Sequence, residues 1–133
     1  MASIKYPSAE KIIEYNILSL KFIKVKKADQ PKVLSHQKIV NIIDATKEKE
    51  GDIYDKAVVL IKGLIQEHAF ASGNRRTAFI VTKEFLSDNR KAFNIPDNPK
   101  QARAMQGVRE EYYKDEEIKE WIKNGKIREF KRW

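Results

Sequence analysis

Apolar residues recur three and four positions apart along most of this chain, which is the spacing of one face of an α-helix. Ile12, Ile13, Ile17 and Leu20 follow Ser8, a good first cap. The stretch Lys24–Lys32 is polar and contains Pro31, so it reads as a loop. Ser35 caps a second predicted helix with Ile39, Val40, Ile42 and Ile43 on its inner face, and Thr46–Gly51 reads as a charged turn. Asp52, with Asp55 three residues on, starts the strongest helix, Asp52–Glu67. Its face is Ile53, Ala57, Val58, Ile61, Leu64 and Ile65, and Lys56, Lys62 and Glu67 form its charged edge. The pattern stops at His68 and resumes from Thr77 to Asn89 through Ala78, Phe79, Val81, Phe85 and Leu86. Asn94–Asp97 is a connector, and Asn98 with Pro99 marks another helix start. Asp115 reads as the cap of a short last helix, Glu116–Lys123, that Asn124 and Gly125 end.

These segments predict an all-α fold: a single compact bundle of about six helices over residues 1–133, with no strand. Five glycines and four prolines are too few for a turn-rich all-β protein. There is no cysteine, which excludes disulfides and thiolate metal sites. The longest apolar run, Ala57–Ile61, falls far short of the roughly 20 residues that cross a bilayer. The first residues lack the apolar core of a signal peptide, so the expected location is the cytoplasm. The formal net charge of +8 is dispersed, which favours a solvated surface over a nucleic-acid stripe. The exception is the basic, aromatic tail from Lys123 to Trp133.

The candidate chemistry lies between the two most apolar helices, in His68-Ala69-Phe70-Ala71-Ser72-Gly73-Asn74-Arg75-Arg76-Thr77. The start of a helix presents unpaired backbone N–H groups to an anion. Gly73 lets the backbone approach a ligand oxygen, and Arg76 can grip a phosphate through two hydrogen bonds. His68 can accept a proton near neutral pH. Phe70 is expected to turn inward and anchor the loop. By chemistry alone, a structural histidine and solvated arginines remain open alternatives.

This stretch resembles the signature of the Fic/Doc (death-on-curing) family: His, any residue, Phe, any residue, Asp or Glu, Gly, Asn, Gly or Lys, Arg. His68, Phe70, Gly73, Asn74 and Arg76 match it, and Thr77-Ala78 looks like the Doc-type toxins in particular. The resemblance implies a helical bundle with the signature loop between two central helices. It also implies transfer of part of a nucleoside triphosphate, ATP or another, to a Ser, Thr or Tyr hydroxyl of a target protein with Mg²⁺. In that scheme His68 is the general base, and Gly73, Asn74, Arg75 and Arg76 bind phosphate. Arg75 stands where Doc-type members carry Lys and nucleotidyl-transferring members carry Gly, which favours phosphoryl transfer over AMP transfer.

Ser72 departs from the family pattern, because the family acid at that position helps hold the metal. It therefore keeps open a catalytically impaired nucleotide-binding module. The segment Thr46–Gly51 matches a short inhibitory pattern of some family members, which makes Glu50 a possible inhibitory residue against a solvated charged turn. A small antitoxin partner is implied for a toxin of this type. A basic, nucleic-acid-binding helical protein is the remaining alternative, and it lacks a recognition-helix motif.

Overall fold

In the computed structural model, residues 3–22 and 31–131 are described. Six helices follow in order: α1 (Ala9–Phe22), α2 (His36–Glu48), α3 (Ile53–Gln66), α4 (Asn74–Asp88), α5 (Lys100–Arg109) and α6 (Asp115–Asn124). Among the described residues the only β-type pairing is an isolated antiparallel bridge between Val33 and Phe70. The predicted all-α bundle is therefore what forms. Most of the loop predicted over Lys24–Lys32 lies outside the described residues, as does Trp133.

α3 is the axis of the bundle and packs against α2, α4, α5 and α6, while α1 lies on α4 and α2. The predicted faces explain this. Ala57, Leu60, Ile61 and Leu64 of α3 are buried against Ala78, Val81, Phe85 and Leu86 of α4, and Trp121 and Ile122 of α6 are completely covered. Each fully buried aliphatic or aromatic side chain contributes roughly 1.5–3 kcal/mol, so this seam supplies much of the driving force. At Gly63 the helices come close enough that a Cβ would lie 2.8 Å from Ile42. The antiparallel α3–α4 hairpin is tied at its far end by the Tyr54 hydroxyl, which donates to the Ala92 carbonyl at 2.7 Å.

The helix ends show where local chemistry was read well and where it was not. Asp52 and Asp55 form a reciprocal capping box at the start of α3, and Ser35 and Ser8 cap α2 and α1 as expected. α2 continues through Thr46 to Glu48, past the turn expected at Thr46. Thr46 is buried, and its hydroxyl donates to the Ile42 carbonyl, which keeps the helix going. Lys56 is not on a charged edge. It is buried, and its ammonium donates to the carbonyls of Lys47 at 2.9 Å and Lys49 at 2.8 Å, closing the end of α2. Those carbonyls are the orphan acceptors of a helix C-terminus, and a cation there also meets the negative end of the dipole.

α4 begins at Asn74, three residues earlier than the apolar pattern predicts. Asp115 is the first residue of α6 rather than its cap, and it pairs with Lys62 at 2.7 Å. The C-terminal stretch is packed down rather than extended as a basic arm. Phe130 is buried, and Arg128 is held by Glu117 at 2.9 Å and by the Tyr112 carbonyl at 3.0 Å. No helix among the described residues is long and apolar enough to cross a membrane.

Candidate active site

The loop between α3 and α4 is built by three separate clamps. First, His68 follows the Glu67 cap of α3, and its φ of 53° is left-handed. This is the position after a helix where glycine is favoured, because a Cβ there costs about 1–2 kcal/mol. A histidine in that place is a local strain that its side chain must justify. Second, the following residues lie alongside the segment before α2. The Leu34 amide donates to the Ala69 carbonyl at 2.8 Å, and the Ala71 amide donates to the Lys32 carbonyl at 3.0 Å. Between them Phe70 drops into the core with 1% of its surface exposed, as expected. Third, the Asn74 side chain embraces the Phe70 backbone. Its Oδ1 accepts from the Phe70 amide at 3.1 Å and its Nδ2 donates to the Phe70 carbonyl at 2.8 Å. Asn74 therefore shapes the turn with its side chain.

A fourth support comes from outside the loop. Asn16 of α1 is 1% exposed, and its Nδ2 donates to the Ser72 carbonyl at 2.9 Å and to the Thr77 hydroxyl at 3.1 Å. Sequence reasoning passed over it, although a signal exists: Asn16 sits four residues from both Ile12 and Leu20, a polar residue on an apolar stripe. Replacing Asn16 with alanine strands a part-buried carbonyl and a buried hydroxyl. The expected loss is about 2–4 kcal/mol in urea unfolding.

Gly73 completes the turn. Its φ is 78°, and an added Cβ would lie 3.2 Å from both Asn16 and Leu20. Gly73 is the N-cap of α4, with no side chain closing the helix start. The first turn, Asn74, Arg75 and Arg76, therefore directs its N–H groups and the positive end of the helix dipole outward.

Two cavities meet at this helix start. The larger, of about 330 Å³, runs from Asn74, Arg75 and Arg76 to Phe79, Gln101 and Met105. The smaller, of about 140 Å³, holds His68, Ser72, Arg75 and Arg109. Gly73, Asn74 and Arg75 line both. The structure thus gathers His68, Ser72, Gly73, Asn74, Arg75 and Arg76 around one helix terminus.

Arg76 is already engaged. Its guanidinium donates to both oxygens of Asp97 at 2.9 and 3.4 Å and lies over the Phe79 ring. That hydrogen-bonded guanidinium holds the Asp97 carboxyl below the usual carboxylate range, against a smaller opposing effect of burial. Asp97 lies in the connector before α5, where nothing in the local pattern marks it.

The expected inhibitory residue is elsewhere. Glu50 precedes α3, and the signature loop follows it. Fourteen residues of helix, about 20 Å, separate the two ends. The carboxylate on Arg76 is that of Asp97, so the structure does not bring Glu50 to this arginine.

The His68 ring is exposed, with Nδ1 3.4 Å from the Asn74 Nδ2. If Nδ1 accepts from this amide, the neutral ring carries its proton on Nε2. A base at Nε2 needs the other tautomer, which a contact this long opposes only weakly.

The site does not fit a metal held by protein ligands. Mg²⁺ is normally anchored by one or two carboxylates together with phosphate and water oxygens. Ser72 offers only a hydroxyl at the family acid position. No group of three His, Cys, Asp or Glu side chains gathers among the described residues. Among the described residues Asp97 is the one carboxylate lining either cavity, and it is spent on Arg76.

No curated protein matches the chain. The sequence model of the Fic/DOC family does match it, over residues 23–86, a span that contains α2, α3, the whole signature turn and most of α4. That span carries the signature loop from His68 to Arg76, and over it the chain is similar to the Fic/DOC family.

Proposed function

We propose that this protein is a transferase of the nucleotide-using kind to which the Fic/DOC similarity points, moving the terminal phosphoryl group of a nucleoside triphosphate to a hydroxyl of a target protein. The observation that carries this reading is the convergence of an imidazole, an open helix N-terminus and two arginines where two cavities meet. His68 removes the proton from the target's Ser, Thr or Tyr hydroxyl. The freed oxygen attacks the terminal phosphorus, the bond to the bridging oxygen breaks, and a nucleoside diphosphate leaves. The amides of the α4 start and the arginine forks bind the phosphate oxygens. Arg75 fills space that a glycine would leave open, which favours this outcome over attack at the inner phosphorus with loss of pyrophosphate.

The biological setting that fits is a Doc-like toxin acting in the cytoplasm, held by a small antitoxin whose acidic segment would complement the basic surface. No step is assigned to Mg²⁺, for which the described residues offer no carboxylate set. Ser72 favours a second reading, a nucleotide-binding module with little or no turnover.

Incubation with cell extract and two labelled forms of ATP separates these outcomes. Label retained on protein from the terminal phosphate is expected. Label retained only from the inner phosphate means AMP transfer, and binding without either label means the impaired module.

A bound phosphate must displace Asp97 from Arg76. Asp97→Asn is therefore expected to tighten ATP binding about two- to fivefold in calorimetry, the scale of a half-exposed ion pair. Because the folded Asp97 carboxyl titrates below its ordinary range, the pair is intact above that range and is lost only as pH falls through the lowered value. Mild acidification will not reproduce the variant.

A further inference from the structure

We propose that Arg109, on the last turn of α5 and outside the signature, is a phosphate-binding residue of this site, closing with Arg75 on a phosphate held beside His68. This rests on the reading that the turn binds a nucleotide. Arg109 and Arg75 line the same 140 Å³ cavity as His68 and Ser72, and no carboxylate lines it among the described residues. The helix end that carries Arg109 is held in place by a hydrogen bond next to it. Gln66, the last residue of α3, donates its Nε2 to the Val108 carbonyl at 2.7 Å, so the end of α5 is pinned to the start of the loop.

The charge distribution gives the two cavities different tasks. Arg76, which faces the larger one, is neutralised by Asp97. Among the described residues neither Arg75 nor Arg109 forms an ion pair with a carboxylate. The larger cavity, at about 330 Å³, reaches the lower end of the roughly 300–1,000 Å³ common for small-molecule pockets, and it offers Phe79 and Met105 as apolar walls. The smaller one is below that size, cationic and next to the base. The nucleoside belongs in the first and the reacting phosphate in the second, with the phosphate chain crossing the α4 start that both share. Two forked guanidiniums on either side of a phosphate also match the charge that spreads over its oxygens during transfer.

The chain has two histidines, His68 in the cavity and His36 exposed at the start of α2, so ring signals in proton NMR report the site with an internal control. The probe is inorganic tripolyphosphate, titrated into the intact protein and into Arg109→Gln and Arg109→Lys. Arg109 is exposed, and the spectra themselves check that the variants stay folded. The expected result is a shift of the His68 signals with those of His36 unmoved, weakened roughly tenfold or more in Arg109→Gln and less in Arg109→Lys. No shift of His68 in the wild type, or the same affinity in Arg109→Gln, overturns the assignment. If polyphosphate binds with this dependence on Arg109 while labelled ATP transfers nothing, the assignment stands and the transfer reading falls.

Discussion

If the proposed transfer is right, replacing His68 with alanine is expected to lower phosphoryl transfer to protein by roughly 10²–10⁴-fold, the range for removing a general base, and to leave stability within about 0.5 kcal/mol. The two effects separate because His68 is exposed and its backbone strain does not depend on the imidazole. Alanine carries the same Cβ into the same left-handed conformation. Glycine does not, so His68→Gly should be equally inactive but more stable, by about 1 kcal/mol. Transfer assays beside urea unfolding of the three proteins check this. A variant that loses activity only in proportion to its stability would make His68 a structural residue.

Phe70→Ala is expected to cost about 3–5 kcal/mol in chemical unfolding, the scale for emptying a fully buried aromatic site. The consequence for the site goes beyond the cavity left behind. Phe70 is the point where the bridge to Val33, the clamp from Asn74 and the core all meet. Without its ring the turn loses the anchor that holds His68 in register with the α4 start. Activity is expected to be lost in the fraction that remains folded, because a displacement of about 1 Å at a reacting centre can cost 10²-fold. Phe70→Leu keeps most of the burial and should lose less of both.

The bundle was legible in the chain because each helix announces itself locally. The stripes of α3 and α4 and the caps at Ser35 and Asp52 depend only on residues within a few positions of each other. The signature turn was legible for the same reason, since Phe70, Gly73 and Asn74 act on neighbours. What was missed is non-local. Lys56 has the spacing of a solvent edge, yet it caps another helix. Thr46 looked like part of a turn because the charged residues after it hide its burial. Asp97 and Arg109 lie in unremarkable surroundings and reach the site only because α5 folds back along α3. An arginine in the last turn of a helix is ordinarily read as a complement to the dipole. Its place opposite His68 is a property of the tertiary structure alone.

The Glu50 pattern is local to the turn before α3, and the structure does not bring Glu50 to Arg76. The carboxylate on that arginine is Asp97, which belongs to no such pattern.

The most direct measurement is a crystal structure of the protein soaked with a non-hydrolysable triphosphate analogue. It should show the terminal phosphate between Arg75 and Arg109 within reach of a hydroxyl held by His68, the remaining phosphates on the α4 amides, and Asp97 displaced from Arg76. Phosphates bound elsewhere, with Arg76 still on Asp97 and the His68 cavity collapsed on its own side chains, would contradict the account.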